Sequence, residues 1–180
     1  MTSSRGGSAG DTLNGGEGND NLVGNAGDDS LSGVGGDDTI NGGDGNDFIS
    51  AGDGNNSLIG GNGDDTIFAG SGNDTITGGI GNDNINSGGG IDAVNAGDGD
   101  DTIQVDTRFT SVIGGLGTDT LFLSGTLGRT INLATAGIER IQQGSEGNDT
   151  FNGGAMAVQA IINGRMVVMT ISPAAVPVIS

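Results

Sequence analysis

The chain has no cysteine, histidine, tryptophan or tyrosine, and its five basic residues are all arginine. Without Cys there is no disulfide and no thiolate metal site, and the redox compartment is left open. Without His, Cys, Lys or Tyr there is no Ser-His-Asp triad, no cysteine nucleophile, no His-ligated zinc and no Schiff-base lysine. Aromatic residues fill 3% of the 180 positions while glycine fills 40 of them, which leaves too little bulk for an ordinary globular core. Positive charge is scarce against 23 Asp and Glu, and the formal net charge of -18 argues against nucleic acid or an anionic membrane as partner. Cations are the natural partner. Residues 1–10 hold no apolar h-region, so no cleavable amino-terminal secretory signal is expected, and no apolar run is long enough to span a membrane.

What the chain does have is a nine-residue unit repeated eleven times in one phase, from Gly6 to Gln104. Gly15 to Val23 (GGEGNDNLV), Gly42 to Ser50 (GGDGNDFIS), Gly60 to Phe68 (GGNGDDTIF) and Gly78 to Asn86 (GGIGNDNIN) show the rule, G-G-x-G-(N/D)-D-x-(L/I)-x. The sixth place holds Asp11, Asp20, Asp29, Asp38, Asp47, Asn56, Asp65, Asp74, Asp83, Asp92 and Asp101. The eighth holds only branched aliphatics, from Leu13 to Ile103. Fixed-period self-similarity of this kind predicts a solenoid. The first six residues of each unit read as loop, with glycines supplying backbone conformations closed to other residues, and the last three as a short strand with the aliphatic inward. Such strands stand only if they pair with the same strand of a neighbouring coil. Two units then make one coil, and alternate units stack into two facing parallel sheets.

The donor set predicted by this pattern is all oxygen: one Asp carboxylate per unit, with backbone carbonyls from the glycine-rich loop. Hard oxygen ligands suit calcium better than zinc, copper or iron, and a flexible loop suits it better than magnesium. The expected ligands are the ten aspartates of the sixth place in the array together with Asp119 and Asp149 from later units, and several ions are expected. Because these carboxylates recur along a lattice instead of meeting in one cleft, the chain reads as non-enzymatic.

Residues 1–5 read as a loose polar lead and residues 6–122 as the cation-binding solenoid. Within the latter, Val105 to Ile113 keeps the phase but carries Thr110 at the sixth place, and Gly114 to Phe122 returns to consensus with Asp119. Residues 123–143 read as a spacer that continues the solenoid, and residues 144–154 contain a further unit, Gly144 to Asn152, with Asp149. Residues 155–180 hold no Asp and place Asn163-Gly164 between two apolar runs, a hairpin signal. That segment is either a cap over the open end of the rod or an export signal.

The units from Gly6 to Gln104, with those at Gly114 and Gly144, are similar to the G-G-x-G-x-D-x-U-x nonapeptide of the repeats-in-toxin, or hemolysin-type calcium-binding, family. The resemblance covers about two thirds of the chain. It implies an all-β, right-handed parallel β-roll, calcium held in the loops, and secretion to the extracellular space through a type I apparatus that reads a carboxy-terminal signal. Asn56, Ala9, Asn25 and Val34 depart from the family pattern. A structural module that folds on meeting extracellular calcium is the reading preferred here; the alternative is an adhesin-like or matrix rod whose outer face binds a partner.

Overall fold

The computed structural model describes residues 1–106, 109–124, 130–132, 138–143, 150–152, 156–162 and 165–171. Its architecture follows from the fact that a unit with one inward aliphatic can bury nothing alone. Two units close one coil, and within the repeat array each strand pairs in parallel with the strand eighteen residues on. The seven-stranded sheet runs, in spatial order, β1 (Ser3–Arg5), β3 (Asn21–Ala26), β5 (Thr39–Asp44), β7 (Ser57–Asn62), β9 (Thr75–Ile80), β11 (Asp92–Asp98) and β13 (Phe109–Leu116). The facing sheet begins with β2 (Thr12–Glu17), β4 (Ser30–Gly35), β6 (Phe48–Asp53), β8 (Thr66–Ser71), β10 (Asn84–Asn86), β12 (Thr102–Val105) and β14 (Asp119–Leu123). It continues through β16 (Ile138–Gln143), β18 (Met156–Ile162) and β19 (Arg165–Ile171), while β15 (Thr130–Asn132) and β17 (Thr150–Asn152) form a separate parallel pair. The described residues include no helix. The fold is a parallel β-solenoid of the β-roll kind.

Register places like on like. In one sheet Leu22, Ile40, Leu58, Ile76, Val94 and Val112 are successive partners. In the other the file is Leu13, Leu31, Ile49, Ile67, Ile85, Ile103 and Leu121. All but Leu13, which is half-buried, are shielded from solvent, with Ala51, Ala69, Ala96, Val105, Leu123 and Ile138 filling the spaces between them. The interior of the array is therefore lined by two files of aliphatics.

Two expectations are corrected. Strands β2 to β9 are six residues long where three were expected, as in Thr39–Asp44, because the residues of the first two places carry the coil-to-coil pairing onward: Gly43 pairs with Asn25 and Gly61. The loop shrinks to the fourth, fifth and sixth places. Nor does the amino-terminal lead stay loose. Ser3, Ser4 and Arg5 pair with Asn21, Leu22 and Val23, since any extended backbone can satisfy the exposed edge of β3.

The second-place residue turns the chain with a positive φ, and two units manage without glycine there. Asn25 has φ 80° and Val34 has φ 87°. Asn tolerates this region and its Nδ2 donates to Gly6 O at 2.6 Å, whereas a β-branched residue there is strained. Val34 is also 44% exposed, so its side chain contributes little burial. A left-handed residue costs roughly 1–2 kcal/mol and a glycine roughly 0.5–1 kcal/mol in chain entropy. Val34→Gly should therefore stabilise the calcium-loaded roll by about 0.5–1 kcal/mol. Asn25→Gly should give no gain. Denaturant midpoints in excess calcium check both, and a lower midpoint for Val34→Gly would refute the strain.

Candidate metal centre

Each three-residue loop directs its N–H groups along the rod axis, and each finds a defined acceptor one coil away. The fourth-place N–H donates to the third-place carbonyl of the next coil, as from Gly45 to Asn62 and from Gly63 to Ile80, at 2.8 and 2.7 Å. The fifth-place N–H donates backward to the fifth-place side chain: Asp64 to Asn46 Oδ1 at 2.8 Å, Asn82 to Asp64 Oδ1 at 2.7 Å, Asp100 to Asn82 Oδ1 at 2.8 Å. The sixth-place N–H donates forward to the sixth-place carboxylate: Asp29 to Asp47 Oδ1, Asp47 to Asp65 Oδ1 and Asp83 to Asp101 Oδ1, each at 2.8 Å. Two side-chain ladders thus run in opposite senses along each edge of the roll. The fifth-place ladder has no counterpart in the sequence reading, although the Asn/Asp preference at that place was its visible signal.

The sixth-place residues divide between the two edges. Asp11, Asp29, Asp47, Asp65, Asp83, Asp101 and Asp119 line one; Asp20, Asp38, Asn56, Asp74 and Asp92 line the other. Apart from Asp11, which is half-buried, all are buried. Asp149 lies outside the described residues. With Oδ1 fixed by an N–H eighteen residues away, the second oxygen is carried into the protein. Oδ2 of Asp20, Asp29, Asp38, Asp47, Asp65, Asp74, Asp83 and Asp101 is buried without a hydrogen-bond donor. Asp11 is the exception, its Oδ2 accepting from Gly7 N–H at 2.6 Å.

These orphaned oxygens share their surroundings with backbone carbonyls. A Cβ placed on Gly42 would collide with Asp47 Oδ2 and Gly60 O, one on Gly60 with Asp65 Oδ2 and Gly78 O, and one on Gly78 with Asp83 Oδ2 and Ala96 O. At Gly42, Gly60 and Gly78 a carboxylate oxygen and a carbonyl of the next coil close over the place that a Cβ would take. Asn56 shows what such a place lacks elsewhere. Its Oδ1 keeps the ladder bond, accepting from Asp38 N–H at 2.9 Å, while its Nδ2 donates to Gly54 O at 3.2 Å and Ala69 O at 3.5 Å. Where Asp replaces Asn, oxygen faces oxygen and something positive is needed. Among the described residues no three His, Cys, Asp or Glu side chains converge on one point, so a cation here would take no more than two carboxylates and fill its shell with carbonyls. That all-oxygen set fits calcium.

Burial raises the carboxyls of Asp65, Asp74 and Asp101 from 3.8 to about 6 and that of Asp83 to about 7, with neighbouring aspartates adding to the rise and the ladder N–H bonds opposing it. Asp38 and Asp47 are raised for the same first reason. A carboxyl raised on folding binds its proton more tightly in the folded state, so its contribution to stability is full below 3.8 and is lost as pH rises through the folded value. In a chelator, the chain should therefore gain β-structure as pH falls from about 7 toward 5. Far-UV circular dichroism across that range checks the sign; loss of β-structure on acidification would contradict it.

A family profile described as the RTX calcium-binding nonapeptide repeat (4 copies) matches residues 5–40, 23–58, 32–67, 59–94, 77–107 and 143–155. No curated protein matches the chain. The overlapping matches run through the whole eleven-unit array, and the last one falls on the unit from Gly144 to Asn152. The chain belongs to the RTX calcium-binding nonapeptide-repeat family, whose β-rolls bind several calcium ions.

Proposed function

We propose that this chain is a secreted structural module whose roll forms when it meets extracellular calcium, with the sixth-place aspartates as ligands. The assigned ligands are Asp11, Asp20, Asp29, Asp38, Asp47, Asp65, Asp74, Asp83, Asp92, Asp101, Asp119 and Asp149. The observation that carries the reading is the set of eight buried Oδ2 atoms with no donor, each on a carboxylate already fixed through its other oxygen. A buried carboxylate without a partner is costly, and a bound cation removes that cost at every coil. Without the ion the same ladder brings like charges into a low-dielectric wall, held by a core only two aliphatic files wide. Low calcium thus favours an expanded chain, able to thread a type I exporter, and higher calcium outside favours the roll.

Half-saturation is expected at roughly 10⁻⁴ to 10⁻³ M calcium, the range of extracellular modules, and magnesium should not substitute because it holds its waters and demands octahedral geometry. A calcium titration followed by circular dichroism and small-angle scattering tests this. A chain equally compact in chelator would defeat it. Asp65→Ala should raise the calcium midpoint, since it removes both the acceptor of Asp47 N–H and one ion ligand in mid-array.

For residues 155–180 we favour the cap. β19 lies antiparallel on β18, ending a ladder that is otherwise parallel throughout. Deleting residues 155–180 should leave the number of bound calcium ions nearly unchanged but raise the calcium midpoint or drive end-to-end association. A truncated chain that folds normally yet is no longer secreted from a host with a type I exporter would assign the segment to export instead.

A further inference from the structure

We infer that the Asn56 amide is a built-in substitute for one metal ion, so that one coil junction in the middle of the roll closes without calcium. The inference rests on the assignment of the sixth-place carboxylates as calcium ligands, and extends it to the one array position where the carboxylate is absent. Asn56 is as buried as its Asp equivalents, 3% exposed, and it keeps both ladder bonds: its N–H donates to Asp74 Oδ1 at 2.8 Å and its Oδ1 accepts from Asp38 N–H. Only the second terminal atom differs. At Asp65 that atom is an oxygen with no donor, facing the same Gly60 surface as Gly78 O. At Asn56 it is a nitrogen whose two hydrogens are directed at Gly54 O and Ala69 O. Ala69 is the first-place residue one coil on, the equivalent of Gly78 for Asp65.

A calcium ion and an amide NH2 answer the same electrostatic demand here, because each presents positive charge to converging carbonyl oxygens. They answer it on different terms. The ion arrives only at sufficient concentration and leaves with a chelator, whereas the amide is always present and neutralises nothing beyond its own carbonyls. The edge carrying Asp20, Asp38, Asp74 and Asp92 is thereby interrupted at its centre by a neutral junction, while the opposite edge runs from Asp11 to Asp119 with a carboxylate at every coil. The two edges differ in ion content by construction.

Reciprocal exchange tests this. Asn56→Asp restores a second oxygen opposite Ala69 O, and should bind one more calcium ion per chain than the wild type and need more calcium to become compact. Asp65→Asn installs the same amide opposite Gly78 O, and should bind one ion fewer while staying foldable at lower calcium. Ion counts come from native mass spectrometry and from equilibrium dialysis against calcium chloride, and compaction from small-angle scattering. An unchanged count in either variant, with the wild type binding calcium normally, overturns the substitution while leaving the ligand assignment intact. A wild type that binds no calcium overturns the ligand assignment and the substitution together.

Discussion

Along one edge of the roll, from Asp29 to Asp101, each sixth-place carboxylate has one oxygen held by a backbone N–H eighteen residues away and the other buried. That constraint, repeated at every coil from Asp29 to Asp101, organises the roll: Oδ1 fixes the loop of one coil to the next, and Oδ2 is committed to the interior of the edge. In an ordinary domain such an arrangement would be purged, because an unpartnered buried charge destabilises by more than a hydrogen bond returns. Here it is repeated, which is the basis for proposing a positive partner at these oxygens. Membership of the RTX calcium-binding nonapeptide-repeat family makes calcium the partner proposed.

Backbone spacing imposes the second condition. Coils stacked at the distance of paired strands leave no room for a side chain where the chain turns, so a Cβ at Gly61 would meet Gly43 O and one at Gly79 would meet Gly61 O. Glycine at the second place thus serves two needs at once, a positive φ and an unobstructed neighbour. Where another residue stands, the consequences differ by chemistry: Asn25 recovers a hydrogen bond to Gly6 O, while Val34 holds a strained backbone and exposes its side chain.

Hydrophobic burial sets the handover between the two sheets but not their closure. The files headed by Leu13 and Leu22 give each coil two aliphatics, enough to choose which face turns inward and too few to carry an all-β rod by themselves. The loops make up the difference through polar ladders, in which the Asn and Asp of the fifth place carry N–H groups one way and those of the sixth place carry them the other. Metal binding at these edges, as proposed above, would couple to the folding of the whole.

The period, the inward eighth place, the acidic sixth place and the stacking of alternate units were legible in the sequence, because in a solenoid each is a one-dimensional property: a residue's neighbour is its own equivalent eighteen positions away. The preference for oxygen ligands was legible too, since no nitrogen or sulfur donor exists to compete. The structure alone decided the rest. Whether a glycine such as Gly43 belongs to a loop or a strand depends on the coil beside it, and the open edge of β3, not any signal in Ser3–Arg5, recruits the amino-terminal lead. Likewise Asn56 looks in the sequence like a lost ligand; only its position between Gly54 O and Ala69 O turns the loss into a bonded amide, because a hydrogen bond is defined by where its acceptors lie and not by the residue that offers it.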